Sequence, residues 1–88
     1  MKDRLRALGD VGTAIRDTRK AAGLTTVDVA ARSGRSRDVL NRLERGEDVS
    51  LSSLLAILAA IGHSIEIVPA GPPTLAEMAR RFALGEDE

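Results

Sequence analysis

The chain contains no cysteine. No disulfide and no thiolate chemistry is open to it, and cysteine usage leaves its redox compartment undetermined. Tryptophan and tyrosine are also absent, and Phe82 is the one aromatic residue. In a chain of 88 residues, a core built without aromatics favours packed helices or burial against a second subunit, because small single cores supply little stability. No apolar run approaches the roughly 18 residues that a membrane helix needs. The N-terminal stretch MKDRLRALGD is charged and lacks the apolar centre of a secretory signal. A cytoplasmic protein of one domain's size, with no membrane partner, is the expectation.

Net charge is lacking too, since 13 basic residues meet 13 acidic ones. That balance argues weakly against a nucleic-acid partner, but the distribution reverses the argument. Residues 1–45 carry 11 Lys and Arg against 6 Asp and Glu, a balance of +5. Residues 46–88 carry 2 against 7, a balance of −5. A chain with one basic and one acidic half is built for one half to face an anion. The basic residues are densest in SGRSRDVLNRLERGED, residues 33–48, which holds Arg35, Arg37, Arg42 and Arg45.

Apolar periodicity places the elements. Val11, Ile15 and Arg19 recur at helical spacing between Asp10 and Ala22, with Ala14, Thr18 and Ala22 beside them, and Gly23 stands where a C-terminal glycine belongs. Thr25, followed three residues later by Asp28, opens a second helix over about Thr26–Ser33, with Val29 and Ala30 inward. Ser36 opens a third over about Arg37–Arg45, with Leu40 and Leu43 inward. The glycine-containing turn between them is short, so residues 25–45 read as a helix-turn-helix. Ser50 opens a fourth helix, about Leu51–Ile61, with an apolar stripe of Leu51, Leu54, Leu55, Leu58 and Ile61. The period then changes to two in SIEIVPA, which is a strand signal ended by Pro69. After AGPP, Thr74 and Glu77 open a fifth helix from about Leu75, with Leu75, Met78, Ala79 and Phe82 on one face.

If Leu40 and Leu43 face the core, then Arg37, Asp38, Asn41, Arg42 and Arg45 point elsewhere. Arginine bonds guanine in a bidentate manner, and asparagine does so with adenine. Arg37 and Asn41, one turn apart, can therefore reach base edges in a major groove. Thr25, Thr26 and Ser36 sit at helix starts, where hydroxyls and backbone N–H groups bind phosphate oxygens. Arg35 and Arg45 are read either as phosphate contacts or as part of a solvated charged face.

On these residues a resemblance appears. IRDTRKAAGLTTVDVAARSGRSRDVLNRLERG resembles the lambda-repressor/Cro type of helix-turn-helix, through Arg19 to Thr25, the Ala30 and Gly34 pair, and the ending Leu43 to Gly46. It spans about residues 9–62. The following helix and strand narrow the likeness to the HipB-like antitoxins, homodimeric repressors that partner HipA-type kinase toxins. The resemblance implies an all-α, five-helix DNA-binding domain with one short C-terminal β-strand paired across a homodimer. Residues 1–62 would form the DNA-binding unit and residues 63–88 the dimerisation strand and last helix. It implies base reading by Arg37, Asp38 and Asn41, with Arg42 on the same side; Asp38 can accept from cytosine N4. It also implies a salt bridge between Arg19 and Glu44. The partners it implies are double-stranded DNA at an inverted-repeat operator, a second copy, and a HipA-like kinase toxin.

The strand matters on physical grounds as well. A lone strand leaves its N–H and C=O rows unpaired, and the nearest equivalent strand is that of a second copy. The expected interface is Ile65, Glu66, Ile67 and Val68, joined by Leu75, Met78 and Phe82. The alternative is an extended connector packed on its own subunit. His63 has no cysteine or second histidine with which to hold a metal, and no serine has a histidine base at a recognisable spacing. No cofactor, metal site or enzymatic activity is expected. The reading is a DNA-binding repressor and autoregulating antitoxin. The alternatives are a regulator without a toxin and an interaction module that has lost DNA binding.

Overall fold

The computed structural model describes residues 4–69 together with Leu75, Ala79 and Arg80. Four helices make up the described architecture: α1 (Leu8–Ala21), α2 (Thr26–Ser33), α3 (Arg37–Glu44) and α4 (Leu51–Ala60). Each start has a local chemical cause. Asp10 Oδ2 accepts from the N–H groups of Arg6 and Ala7 ahead of α1, at 3.1 and 3.2 Å. Thr25 Oγ1 accepts from the Asp28 N–H at 3.1 Å, and Asp28 Oδ2 accepts from the Thr25 N–H at 2.9 Å, a reciprocal box that opens α2. Ser36 Oγ accepts from the Val39 N–H, and Ser50 Oγ from the Ser53 N–H, at 3.2 and 3.1 Å. These bonds satisfy amides that a helix start would otherwise leave without partners.

α1 packs on α3, while α2 packs on both α3 and α4. The core is Ile15, Val29, Leu40, Leu43, Ile57 and Ile61, with Val11, Leu24, Val39, Val49, Leu54 and Leu58 partly buried around it. The α1–α3 approach depends on Gly12, which is buried. A Cβ there would lie 2.5 Å from the Leu43 carbonyl oxygen and 2.7 Å from that of Glu44. The missing side chain lets the middle of α1 rest on the last turn of α3.

Three sequence expectations change. Ala22, placed beside the apolar face of α1, is exposed. On α4 the inward residue is Ile57, fully buried, which the apolar stripe omits; Leu51 and Leu55, which the stripe includes, are 66% and 47% exposed. α4 is apolar nearly all round, so periodicity had no polar face against which to orient it. Finally, residues 63–69 form no strand. A strand is defined by its ladder, and among the described residues no second extended segment lies alongside this one. Ile65, Ile67 and Val68 are exposed, Ile67 at 96%. The Arg4 guanidinium donates to the Pro69 carbonyl, which draws the end of this segment to the chain's beginning. The expected fifth helix falls largely outside the described residues, as do Met78 and Phe82. Leu75, Ala79 and Arg80 are helical in backbone and exposed.

Candidate nucleic-acid interface

α3 takes its orientation from Leu40 and Leu43, which are 0% and 2% exposed. With those residues in the core, the opposite face carries the polar side chains. Arg37, Asp38 and Arg45 are exposed, and Asn41 and Arg42 are half-buried at the edges of that face. One short helix therefore presents three guanidinium groups, one amide and one carboxylate outward. That is a set of groups able to meet donor and acceptor patterns in a major groove.

The helix starts flanking this face bring Thr25, Thr26 and Ser36 to the surface region, with Thr25 and Ser36 exposed and Thr26 half-buried. Thr25 and Ser36 each use a hydroxyl lone pair as the cap acceptor. Those bonds do not consume the hydroxyl hydrogen, which can be donated to a phosphate oxygen. Asp28 is held below the usual carboxylate range, first by the N–H of Thr25 and second by the Thr25 hydroxyl. The box thus keeps its charge at the α2 start.

Arg19 and Glu44 are brought together beneath the face. Arg19 Nε donates to Glu44 Oε2 at 2.8 Å and Nη2 to Glu44 Oε1 at 3.0 Å, a bidentate pair, while Nη1 donates to the Leu24 carbonyl at 3.0 Å. Both side chains are 10% exposed. The hydrogen bond to Glu44 raises the Arg19 pKa further above its ordinary value, against the opposing effect of burial. This pair ties α1 to the end of α3 and so fixes the pitch of the presented face.

Other cations have partners that sequence reasoning missed. Arg35 is half-buried and its Nε donates to Ser53 Oγ at 3.0 Å, which joins the turn of the helix-turn-helix to α4. Arg42 Nη2 donates to the Asp48 carbonyl at 3.2 Å, and its Nε lies 3.8 Å from Glu47 Oε1. Arg45 Nε donates to Glu47 Oε2 at 2.7 Å. Only the adjacency of Glu47 and Asp48 to the Leu43–Gly46 ending hinted at these contacts. The expected interface residues Ile65, Glu66, Ile67 and Val68 are gathered on the exposed segment after α4, away from α3 in sequence and outside the core. His63 Nδ1 lies 2.8 Å from the Ile61 carbonyl, the geometry of a ring N–H donating to it. No helix among the described residues is long and apolar enough to cross a membrane.

Two helices joined by a three-residue turn, the second held by leucines and outwardly cationic, define the helix-turn-helix class. A family model described as "Helix-turn-helix domain" matches residues 10–70, and the chain belongs to that family. Within it the fold is of the lambda-repressor/Cro type and close to HipB. A structure of HipB, titled as a complex with an O2 20-mer, superposes with a TM-score of 0.75 at 17% identity, covering 81% of this chain and 100% of that one. The wild-type restriction-modification controller protein C.Esp1396I superposes with a TM-score of 0.61 at 26% identity, covering 69% of this chain and 82% of that one. No curated protein matches the sequence. The fold is that of helix-turn-helix DNA-binding regulators.

Proposed function

We propose that the protein is a sequence-specific DNA-binding repressor that acts as a homodimer. The observation that carries this reading is the outward face of α3, with Arg37, Asp38 and Asn41 set on a helix whose apolar side is buried. Arg37, Asp38, Asn41 and Arg42 read base edges. Thr25, Thr26, Ser36, Arg35 and Arg45 hold the backbone, Arg35 from a position tied to Ser53. A second copy pairs along Ile65–Val68, with the exposed Leu51 and Leu55 of α4 and Leu75 adding apolar area. Two α3 helices then enter successive major grooves of an inverted repeat, with half-site centres roughly 34 Å apart. Binding excludes polymerase, and no catalytic step, cofactor or metal is involved.

The deciding experiment is selection of binding sites from random duplexes, followed by the same selection with Arg37→Ala. The wild-type protein should return an inverted repeat. The variant should lose preference at one position in each half-site, at a cost of roughly 1–3 kcal/mol each. Uniform weakening on every sequence would remove Arg37 from the base-reading set. The antitoxin role is the finer form of this proposal. It is supported by the resemblance to HipB-like antitoxins and by the acidic second half, which suits a basic surface on a HipA-like kinase. Purification from the native host should yield a second chain in stoichiometric amount, whereas a stand-alone regulator would come through alone.

A further inference from the structure

The end of α3 carries a carboxylate where a helix disfavours one. The C-terminal end of a helix bears partial negative charge, which favours cations and opposes anions. Arg42 and Arg45 fit that field and Glu47 does not. The backbone nevertheless brings Glu47 back over the last turn. Gly46 has φ +82, its N–H donates to the Leu43 carbonyl at 3.0 Å, and the Glu47 N–H donates to the Arg42 carbonyl at 2.9 Å. This double closure turns the chain so that the residue after the glycine doubles back on the helix. The turn is fixed twice, because a Cβ on Gly46 would also lie 3.0 Å from the Gly9 Cα. The two carboxylate oxygens of Glu47 then face different arginines: Oε2 is 2.7 Å from Arg45 Nε and Oε1 is 3.8 Å from Arg42 Nε.

We propose that Glu47 is an internal substitute for phosphate, which occupies Arg42 and Arg45 in the free protein and so restrains binding to DNA of arbitrary sequence. This rests on the DNA-binding reading above. The carboxylate offers the same bidentate anionic chemistry that a phosphate offers to arginine. The clasp is exposed, at 43% for Arg42, 59% for Arg45 and 49% for Glu47, so it contributes little to folding and can open at little cost. On random duplex the phosphates must compete with Glu47 for the two guanidinium groups. On the operator, base contacts from Arg37 and Asn41 hold α3 in the groove, and Arg42 and Arg45 transfer to the DNA. Glu47 thereby sets the ratio of specific to non-specific affinity without touching a base.

The test compares the wild-type protein with Glu47→Gln on a 20-base-pair random duplex and on the selected operator, across a series of salt concentrations. Asp17→Asn, at an exposed α1 carboxylate lining a separate hollow with Arg4 and Asp10, supplies the same change in net charge. Each arginine freed to meet a phosphate steepens the dependence of log affinity on log salt by about 0.9. Glu47→Gln should steepen the slope on random duplex by roughly 1 to 2 per protomer and tighten that binding about tenfold at low salt. The operator should gain less, so the ratio between them shrinks, and circular dichroism should show unchanged helix content. An unchanged slope on random duplex overturns the proposal, and so does an equal effect from Asp17→Asn. Loss of helix content in Glu47→Gln overturns it as well, since the clasp would then be a folding contact. A wild-type protein that binds no duplex at all removes the DNA-binding reading itself.

Discussion

Arg19 and Glu44 illustrate what one pair of side chains decides. Their bidentate contact is nearly closed to solvent, and Leu24 contributes a third bond. Removing one partner of such a pair costs far more than the pair contributes relative to an apolar replacement, because the other charge stays buried. Glu44→Ala should therefore destabilise the fold by about 3 kcal/mol, the low end for a broken buried pair, since the Leu24 carbonyl still accepts from Arg19. The shift of the urea midpoint checks this, and a change under 1 kcal/mol would reassign the pair as a surface contact. The outward residues of α3 behave differently. Asp38 and Arg37 are solvated in the free protein, so their replacement should leave stability within about 0.5 kcal/mol while altering DNA binding.

At the scale of elements, the helix starts were open to reading from residue types alone. Thr25 with Asp28, Ser36 and Ser50 stand one residue before α2, α3 and α4, because a short hydroxyl or carboxylate is what a helix start lacks. Asp28 carries a pH dependence with a definite sign. Its pKa is depressed in the folded state, so its stabilising effect is present above the ordinary carboxylate pKa of 3.8 and is lost as pH falls through the lower folded value. Acid titration followed by circular dichroism should show α2 loosening later in wild type than the carboxylate range itself predicts, and Asp28→Asn should abolish that dependence.

Gly12 is the element-scale feature that the sequence hid. A glycine within a helical pattern costs about 1 kcal/mol relative to alanine in helix propensity alone. Substituting Gly12→Ala would therefore appear favourable. The Leu43 and Glu44 carbonyls leave no room for the added methyl, and neither is the end of a flexible side chain. The expected result is a net loss of about 1–3 kcal/mol from overpacking, read from thermal or urea unfolding. A gain would show that α1 and α3 can separate freely. The outcome also bears on function, since the same contact sets the angle at which α3 is held.

For the whole molecule, the exposed apolar residues carry the argument. Leu51, Leu55, Ile65, Ile67, Val68 and Leu75 are all open to solvent in one chain, more large apolar surface than a small monomer leaves uncovered without use. Sedimentation at micromolar concentration should find a dimer, and Ile65→Lys with Ile67→Lys should shift it toward monomer with helix content unchanged. A wild-type monomer with intact helices would end the paired-strand proposal, and with it the two-groove geometry.

The sequence by itself determined the short-range features of this protein. Capping residues, helical periodicity and the leucine pair on α3 depend on neighbours a few positions apart, so the order and approximate bounds of four helices and the outward cationic face follow from them. The tertiary structure decided what depends on distant residues meeting. Only it makes Ile57 rather than Leu51 the inward residue of α4, sets Gly12 against the α3 carbonyls, links Arg35 to Ser53, and folds Glu47 onto Arg42 and Arg45. The strand signal in SIEIVPA marks the boundary between the two. Alternation can specify which faces a segment offers, but a strand exists only when a second backbone supplies the other half of its hydrogen bonds.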